Sequence, residues 1–453
     1  MDAVNPATGA VIESYEEADD AEVEAALAAS QSAFEEWRDV PLREREELIA
    51  NAADVLRENA ERYARLMTDE MGKPVEQARG EVEKCAWACE YYAEHASQHL
   101  ADEPRASPAG TEVYTSYEPL GPVLAVMPWN YPFWQVFRFA APYLTAGNTG
   151  ILKHASNVPG CALAIEEVFE KAGFPEGVFQ SLLVSSSKVD GIIADDRVRA
   201  ATLTGSEPAG RAVAETAGRE LKKTVLELGG SDPVVVLDDA DVAQAAETGA
   251  WARCQNTGQS CIAGKRFVVH DAVYDDFLDA FLDEIDAYTV GDPRDDQTDI
   301  GPMARRDLLE DLHEQVVRSA QAGADVVRGG EPLDREGEYY PPTVLTDVPR
   351  DAPVAAEETF GPVAAVLRVD SEEEAVEVAN DTDLGLGASV WTEDRARGQR
   401  VAHRIDAGCT YVNELVKSDP RVPFGGVKDS GYGRELASDG IREFVNRKTI
   451  WVN

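Results

Sequence analysis

The run CQNTGQSCIAGKRF, residues 254–267, carries two of the chain's six cysteines around a polar turn. A thiolate can be a nucleophile or a metal ligand, and a buried thiol can simply fill a core. Spacing alone leaves those three uses open for Cys261. LELGGSDP, residues 226–233, sets Glu227 in an apolar strand beside two glycines. A carboxylate buried there has a raised pKa and can serve as a base; on an edge strand it would face water instead. In PWNYP, residues 128–132, two prolines fix a loop after a strand and so hold the Asn130 side chain in place. A fixed amide is what an oxyanion hole needs, although an ordinary Asx-turn uses the same residue. TGSEPAG, residues 204–210, ends one strand and opens a helix whose N-terminus suits a phosphate, without matching GxGxxG. EETFGP at 357–362 reads as a capped turn, and PFGGVKDSGYGRE at 423–435 as a glycine-rich loop.

Two further pairs share helix faces. His95 and His99 have the i, i+4 spacing of metal ligands, but no HExxH glutamate and no third ligand accompany them. They are expected to lie on a solvated face, and no metal site is expected. Cys85 and Cys89 are expected to be buried structural thiols.

These residues need a scaffold. From Asp20 to about Gln98, apolar residues recur at three and four positions, which predicts helices broken at MGKP, residues 71–74. ADEPRASPAGTE is a connector, and TEVYTSYEP alternates like an exposed strand. From Leu120 to about Ser231 short β-rich runs (PVLAVMP, GILKH, RAATLTG, KTVLEL) alternate with helices, predicting a parallel sheet in an α/β domain. A second α/β stretch runs from PVVVLDD to about Val422. The tail RKTIWVN is expected to pair with TEVYTSYEP or with a neighbouring subunit.

The 453 residues suffice for two or three domains. No apolar run is long enough to span a membrane, and the start has neither the basic nor the apolar region of a secretory signal. Scattered cysteines without a CxxC pair fit a reduced, cytoplasmic setting. The formal net charge of −42, with 11 lysines against 31 arginines, argues against nucleic-acid and membrane partners. Such acidity repels itself at low salt and is screened in molar salt, where the Debye length is about 3 Å; it looks like halophilic adaptation.

In this order, PWNYP, LKHAS, TGSxxxG, LELGG, GQSC, EETFGP and PFGG followed by KxSG resemble the aldehyde dehydrogenase family over nearly the whole chain. Within the family, the chain looks most like bacterial and archaeal succinate-semialdehyde dehydrogenases. The resemblance implies a Rossmann-like cofactor domain (1–100 and 120–231), an α/β catalytic domain (232–425), and a small β oligomerisation element from the arm 101–119 and the segment 426–453. It implies a homodimer or homotetramer. Cys261 matches the nucleophile that forms a thiohemiacetal and then a thioester, Asn130 the oxyanion donor, and Glu227 the base that activates water. Cys254 has no family role and is read as structural.

Lys153 matches the lysine at the adenosine ribose, with Trp129 in the same wall. Gly205 and Ser206 match the turn beside the pyrophosphate, Glu358 the residue on the nicotinamide ribose, and Phe360 the aromatic beside the nicotinamide. Ser156 stands where NAD-strict members often carry Glu. A hydroxyl there can donate to a 2′-phosphate that a carboxylate would repel. NADP is therefore favoured, with NAD usable. For the substrate, Arg138 lies two helical turns after Asn130, where the resembling succinate-semialdehyde enzymes place an arginine; the other reading is a surface ion pair. The second family arginine is Gln255 here, and Arg421 and Ser418 are its candidate substitutes. The expected reaction is oxidation of a small carboxylated aldehyde, succinate semialdehyde above all. The alternatives are other semialdehydes, glyceraldehyde 3-phosphate, or aliphatic aldehydes. Glu227 argues against a CoA-acylating relative, and the retained chemical residues argue against a catalytically dead one.

Overall fold

A computed structural model describes residues 1–453. Four helices, Asp20–Trp37, Leu42–Glu58, Ala60–Met71 and Val75–His99, fill the predicted helical region. The break falls at Gly72, which closes its helix in a left-handed conformation (φ 81°) against Pro302 and Pro6.

Two sheets carry the rest. The first has the order 431–432, 223–227, 200–204, 122–127, 149–154, 179–181, parallel except for Gly431–Tyr432. Numbered along the chain, its five parallel strands run 3-2-1-4-5. That order creates a crevice at the carboxyl ends, between strand Pro122–Met127 and strand Ala200–Thr204. The second sheet has the order 325–328, 343–346, 363–369, 264–270, 232–236, 387–391, 409–412, with only Asp325–Arg328 antiparallel. The largest apolar cluster, 53 buried residues, packs the helices 42–99 and 134–145 against the first sheet.

The C-terminal strand Val445–Val452 pairs over its whole length with Glu112–Pro119 of the same chain. Of the two expected pairings for the tail, the one within the chain is formed. The segment 426–453 is divided, however. Gly431–Tyr432 extends the first sheet, Ala437–Ile441 packs on the helix Val75–His99, and 445–452 alone joins the arm. Hydrophobic alternation could not reveal a two-residue edge strand in a glycine-rich run.

The first sheet's strand Lys223–Glu227 and the second sheet's strand Asp232–Val236 are separated by Leu228–Ser231 alone. This linker joins the carboxyl end of one sheet to the amino end of the other. The motifs gather around it. No helix is long and apolar enough to cross a membrane.

Candidate active site

The glycine pair of LELGG is the pivot. A side chain at Gly229 would fall 2.4 Å from Glu358 Oε2, and one at Gly230 would fall 2.5 Å from the Cys261 carbonyl. At Gly230 only hydrogen lets the backbones meet, and at Gly229 a side chain would displace the Glu358 carboxylate from its place. Gly230 N also donates to Glu358 Oε1 at 3.0 Å. A second close approach seats the cysteine loop: Gly258 lies on the Gly361 backbone, where a Cβ would come within 2.4 Å. Asn256, Thr257 and Gly258 all take left-handed φ values (54°, 57° and 69°). Such a run costs strain for the two non-glycines and persists because the surroundings fix it.

Cys261 is half-buried and follows this turn. Burial pushes its thiol up to about 12, opposed by the nearby cations of Arg138 and Lys265. Lys265, fully buried, donates to the Cys261 carbonyl at 2.7 Å and the Ser260 carbonyl at 3.0 Å, and lies 3.6 Å from Glu358. Asn130 Nδ2 donates to the Gln259 carbonyl at 3.1 Å, and Asn256 Nδ2 donates to the Asn130 carbonyl at 2.8 Å. The amide is thus fixed against the cysteine loop with its second N–H still to be used. His154 holds the PWNYP loop from behind. Its Nδ1 accepts from Ala155 N at 2.9 Å, so Nε2 donates to the Pro132 carbonyl at 2.9 Å. Burial drops this imidazole to about 4 and keeps it neutral.

Glu227 ends its strand 2% exposed, with both carboxylate oxygens lacking hydrogen-bond partners. Burial raises its pKa well above the carboxylate range and neighbouring Glu435 raises it further, while Arg138 pulls it down. The buried reading is thus the one realised. Arg138 is itself 2% exposed, bonded to Glu435 and donating to Thr204 Oγ1 at 3.2 Å. Its helix, Trp134–Thr145, is formed as expected. The pair, however, is neither on the surface nor free: the guanidinium lines the cavity while its charge is committed to Glu435.

A cavity of about 440 Å³ opens at Cys261, lined also by Tyr131, Trp134, Arg138, Gln255, Ser418 and Phe424. Arg421 is not among its walls. Its side chain is 67% exposed, bonded to Asp419, with the guanidinium 5.3 Å from the Trp87 ring. The expectation that Arg421 replaces the missing arginine is therefore corrected. An adjacent acid two residues away captures it outside the cavity.

Trp129, Lys153, Ser156, Gly205 and Ser206 lie at the carboxyl ends of the first sheet's strands, where that topology places its crevice, whereas Glu358 and Phe360 precede strand Val363–Val369 of the second sheet. Lys153 is near the end of strand Thr149–His154 and Ser156 follows it; Gly205 and Ser206 follow Ala200–Thr204. Ser206 caps helix Glu207–Arg219 without a side-chain bond, so the first-turn N–H groups have no side-chain acceptor there. Trp129 and Phe360 meet edge-to-face at 5.7 Å. Ser156 lines a cavity of about 480 Å³ with Asn157, Arg305 and Arg306, and both polar ends of the Asn157 amide lack partners. Uncapped N–H groups, an aromatic wall, Lys153 and the Ser156 hydroxyl form a donor set that fits a phosphorylated dinucleotide; Arg305 and Arg306 are paired with Asp307, Glu310 and Glu338, and Asp2 and Glu17 also line that cavity.

The aldehyde dehydrogenase family profile matches residues 1–450. The chain belongs to the aldehyde dehydrogenase family. It is 52% identical over 449 residues to a probable succinate-semialdehyde dehydrogenase [NADP(+)] of Synechocystis, covering 99% of each chain. It is 51% identical over 451 residues to succinate-semialdehyde dehydrogenase [NADP(+)] 1 of Mycobacterium tuberculosis, again covering 99% of each. Among solved structures it matches succinic semialdehyde dehydrogenase from Streptococcus pyogenes in complex with NADP+, with TM-score 0.97, 38% identity and 99% of each chain covered. A 3,6-anhydro-L-galactose dehydrogenase shares the fold nearly as well, at TM-score 0.95, 32% identity, and coverage of 100% of this chain and 96% of that one. The fold thus leaves the substrate to the cavity walls.

Reasoning from sequence missed several residues. Lys84 lines the cavity from helix Val75–His99. Glu81 Oε1 accepts from Phe133 N and Trp134 N, both at 2.9 Å, capping the helix that carries Arg138. Glu435 sits in the glycine-rich run quoted above; its place as the acid after GYGR was visible, its partner was not.

Proposed function

We propose that the protein oxidises succinate semialdehyde to succinate with NADP as the hydride acceptor. The observation that carries this reading is the shared cavity: Cys261, Ser418 and several cations line one pocket of about 440 Å³, beside a buried acid and a fixed amide. The names of the relatives point to the same aldehyde.

The Cys261 sulfur attacks the aldehyde carbon as a thiolate, its proton leaving to solvent, and a thiohemiacetal forms. The free Asn130 N–H and the Cys261 backbone N–H donate to the oxygen that gains charge. NADP, when bound, supplies the hydride acceptor that leaves a thioester on Cys261. Glu227 then takes a proton from the water that attacks the thioester, releasing succinate and the thiol. The raised pKa makes Glu227 a stronger base once deprotonated. Lys153 and Ser156 would hold the 2′-phosphate end of the cofactor, Gly205 and Ser206 the pyrophosphate, and Glu358, Phe360 and Trp129 the nicotinamide end. Arg138 steadies the two buried acids, Glu227 and Glu435.

The same reading places the enzyme in a reduced, cytoplasmic, salt-rich setting. The six free cysteines and the net charge of −42 support it. It makes the chain a homo-oligomer through the arm, where Trp451 and Val452 are 56% and 48% exposed. The test is NADPH formation in molar KCl with succinate semialdehyde, acetaldehyde and hexanal. The reading expects kcat/KM for succinate semialdehyde to lead by about tenfold or more. Equal turnover of the uncharged aldehydes would remove succinate semialdehyde as the substrate.

A further inference from the structure

Lys265 stands under the reacting end without reaching a reactant. It is fully buried, and it lines neither the aldehyde cavity nor the cavity of about 360 Å³ that Glu358 and Phe360 share. Its strand, Gly264–His270, begins just after Cys261, and its ammonium turns back to the cysteine loop. Two of its N–H groups go to the Ser260 and Cys261 carbonyls, at 3.0 and 2.7 Å. The same ammonium lies 3.6 Å from Glu358 Oε1.

Glu358 is held through that one oxygen. Oε1 accepts from Gly230 N at 3.0 Å beside the Lys265 charge, while the carboxylate opens on the second cavity. Asp232 is a second acid at the same spot. It is 2% exposed, its Oδ1 accepts from Gly387 N at 3.1 Å, and its Oδ2 has no hydrogen-bond partner. Burial lifts the Asp232 carboxyl to about 6, with Lys265 the foremost charge opposing the rise.

A cation enclosed by protein is costly unless acids offset it. Here one acid comes from LELGGSDP and one from EETFGP, so Lys265 joins both motifs to the cysteine loop. Burial lowers the ammonium, and Glu358 and then Asp232 hold it up against Arg253. An amide at this position could serve the two carbonyls. Only a cation also offsets the two acids and acts on the thiol. Burial raises the Cys261 thiol; Arg138 and then Lys265 oppose the rise, and Glu358 and Asp232 add to it.

We propose that Lys265 is a positioning residue for both halves of the reaction: it ties the Cys261 loop to Glu358, so that one buried charge sets the reactivity of the nucleophile and the grip on the nicotinamide end of the cofactor. This rests on the site reading given above, with Cys261 as nucleophile and Glu358 as a cofactor residue.

The test takes two readings in molar KCl on the wild type, Lys265→Met, Lys265→Arg, Glu358→Gln and the double variant Lys265→Met/Glu358→Gln. The first is the pH dependence of iodoacetamide alkylation at Cys261, followed on its peptide by mass spectrometry. The second is NADP affinity by calorimetry, without aldehyde. Methionine matches the lysine in length and drops the charge. Lys265→Met is expected to raise the alkylation midpoint by about one pH unit and to weaken NADP binding about 10-fold. Lys265→Arg keeps a charge and is expected to bring the midpoint back towards the wild type. In the double variant the loss of NADP affinity is expected to fall well short of the product of the two single losses, because Glu358 has already lost its hold. If Lys265→Met does not fold, Lys265→Gln, which keeps donors for the carbonyls and drops the charge, gives the same readings. An unchanged midpoint, an unchanged NADP affinity, or losses that multiply in the double variant would overturn the Lys265 assignment alone. A wild type that binds no NADP, or whose Cys261 is not alkylated, would overturn the site reading beneath it.

Discussion

The two sides of the cavity are built on opposite electrostatic plans. At the reacting side, burial raises the pKa of both Cys261 and Glu227 and so favours their neutral forms. Around them, charge is balanced internally, Arg138 against Glu435 and Lys265 beside Glu358. At the other side, Lys84 is left without an acid. The difference teaches that pairing, more than burial, separates the two sides. Burial favours the neutral form on both sides, raising the thiol and the carboxyl and lowering the Lys84 ammonium to about 8, but only on the reacting side is each buried charge matched by a partner of opposite sign.

The largest effects should come from breaking the reacting side. Cys261→Ala should abolish NADPH formation, a loss on the order of 10⁴-fold or more, with the thermal transition kept. Glu227→Gln should lower steady-state turnover by about 10²- to 10⁴-fold while a first-turnover burst of NADPH survives, because the amide cannot take the proton from water. The pH dependence has a definite sign. Below its raised pKa, Glu227 carries a proton and is no base, so thioester hydrolysis should fall as pH drops and rise as pH climbs. A rapid-mixing pH series with the wild type checks this.

Arg138→Met sharpens the contrast with Lys84. It removes one partner of a buried pair and leaves Glu435 uncompensated, so it should cost about 3–5 kcal/mol in denaturant unfolding, whereas Lys84 has no acid to strand. Gly258→Ala drives a methyl into the Gly361 backbone at a left-handed position. It should destabilise by about 1–3 kcal/mol and slow turnover by misplacing Cys261. Arg421→Ala should change stability by less than about 0.5 kcal/mol and leave the KM for succinate semialdehyde alone, because its exposed pair with Asp419 lies outside the cavity.

The two sides also differed in how far the sequence exposed them. The reacting residues sit in motifs whose glycines are fixed by close approach: Gly229 under Glu358, Gly230 under the Cys261 carbonyl, Gly258 on Gly361. Local sequence reports such constraints well, and the alternation of strands and helices placed the two sheets. The far side is held by contacts between distant stretches. Lys84 and Ser418 are 334 positions apart. No spacing rule links them, nor Arg138 to Glu435. Arg138 and Arg421 looked equivalent as cations near the motifs; only their partners separate a committed guanidinium from a surface one. The edge strand 431–432 was invisible for a related reason, since its pairing with Leu226 and Glu227 gives no periodicity to read.

The central claim is that Cys261 carries the acyl group and Glu227 releases it. The most direct measurement is mass spectrometry of Glu227→Gln, quenched after mixing with succinate semialdehyde and NADP and then digested. The account predicts a succinyl adduct on the peptide containing Cys261, in step with the NADPH burst. NADPH formation with no adduct there, or with the adduct on Cys254 or Cys409 instead, would contradict it.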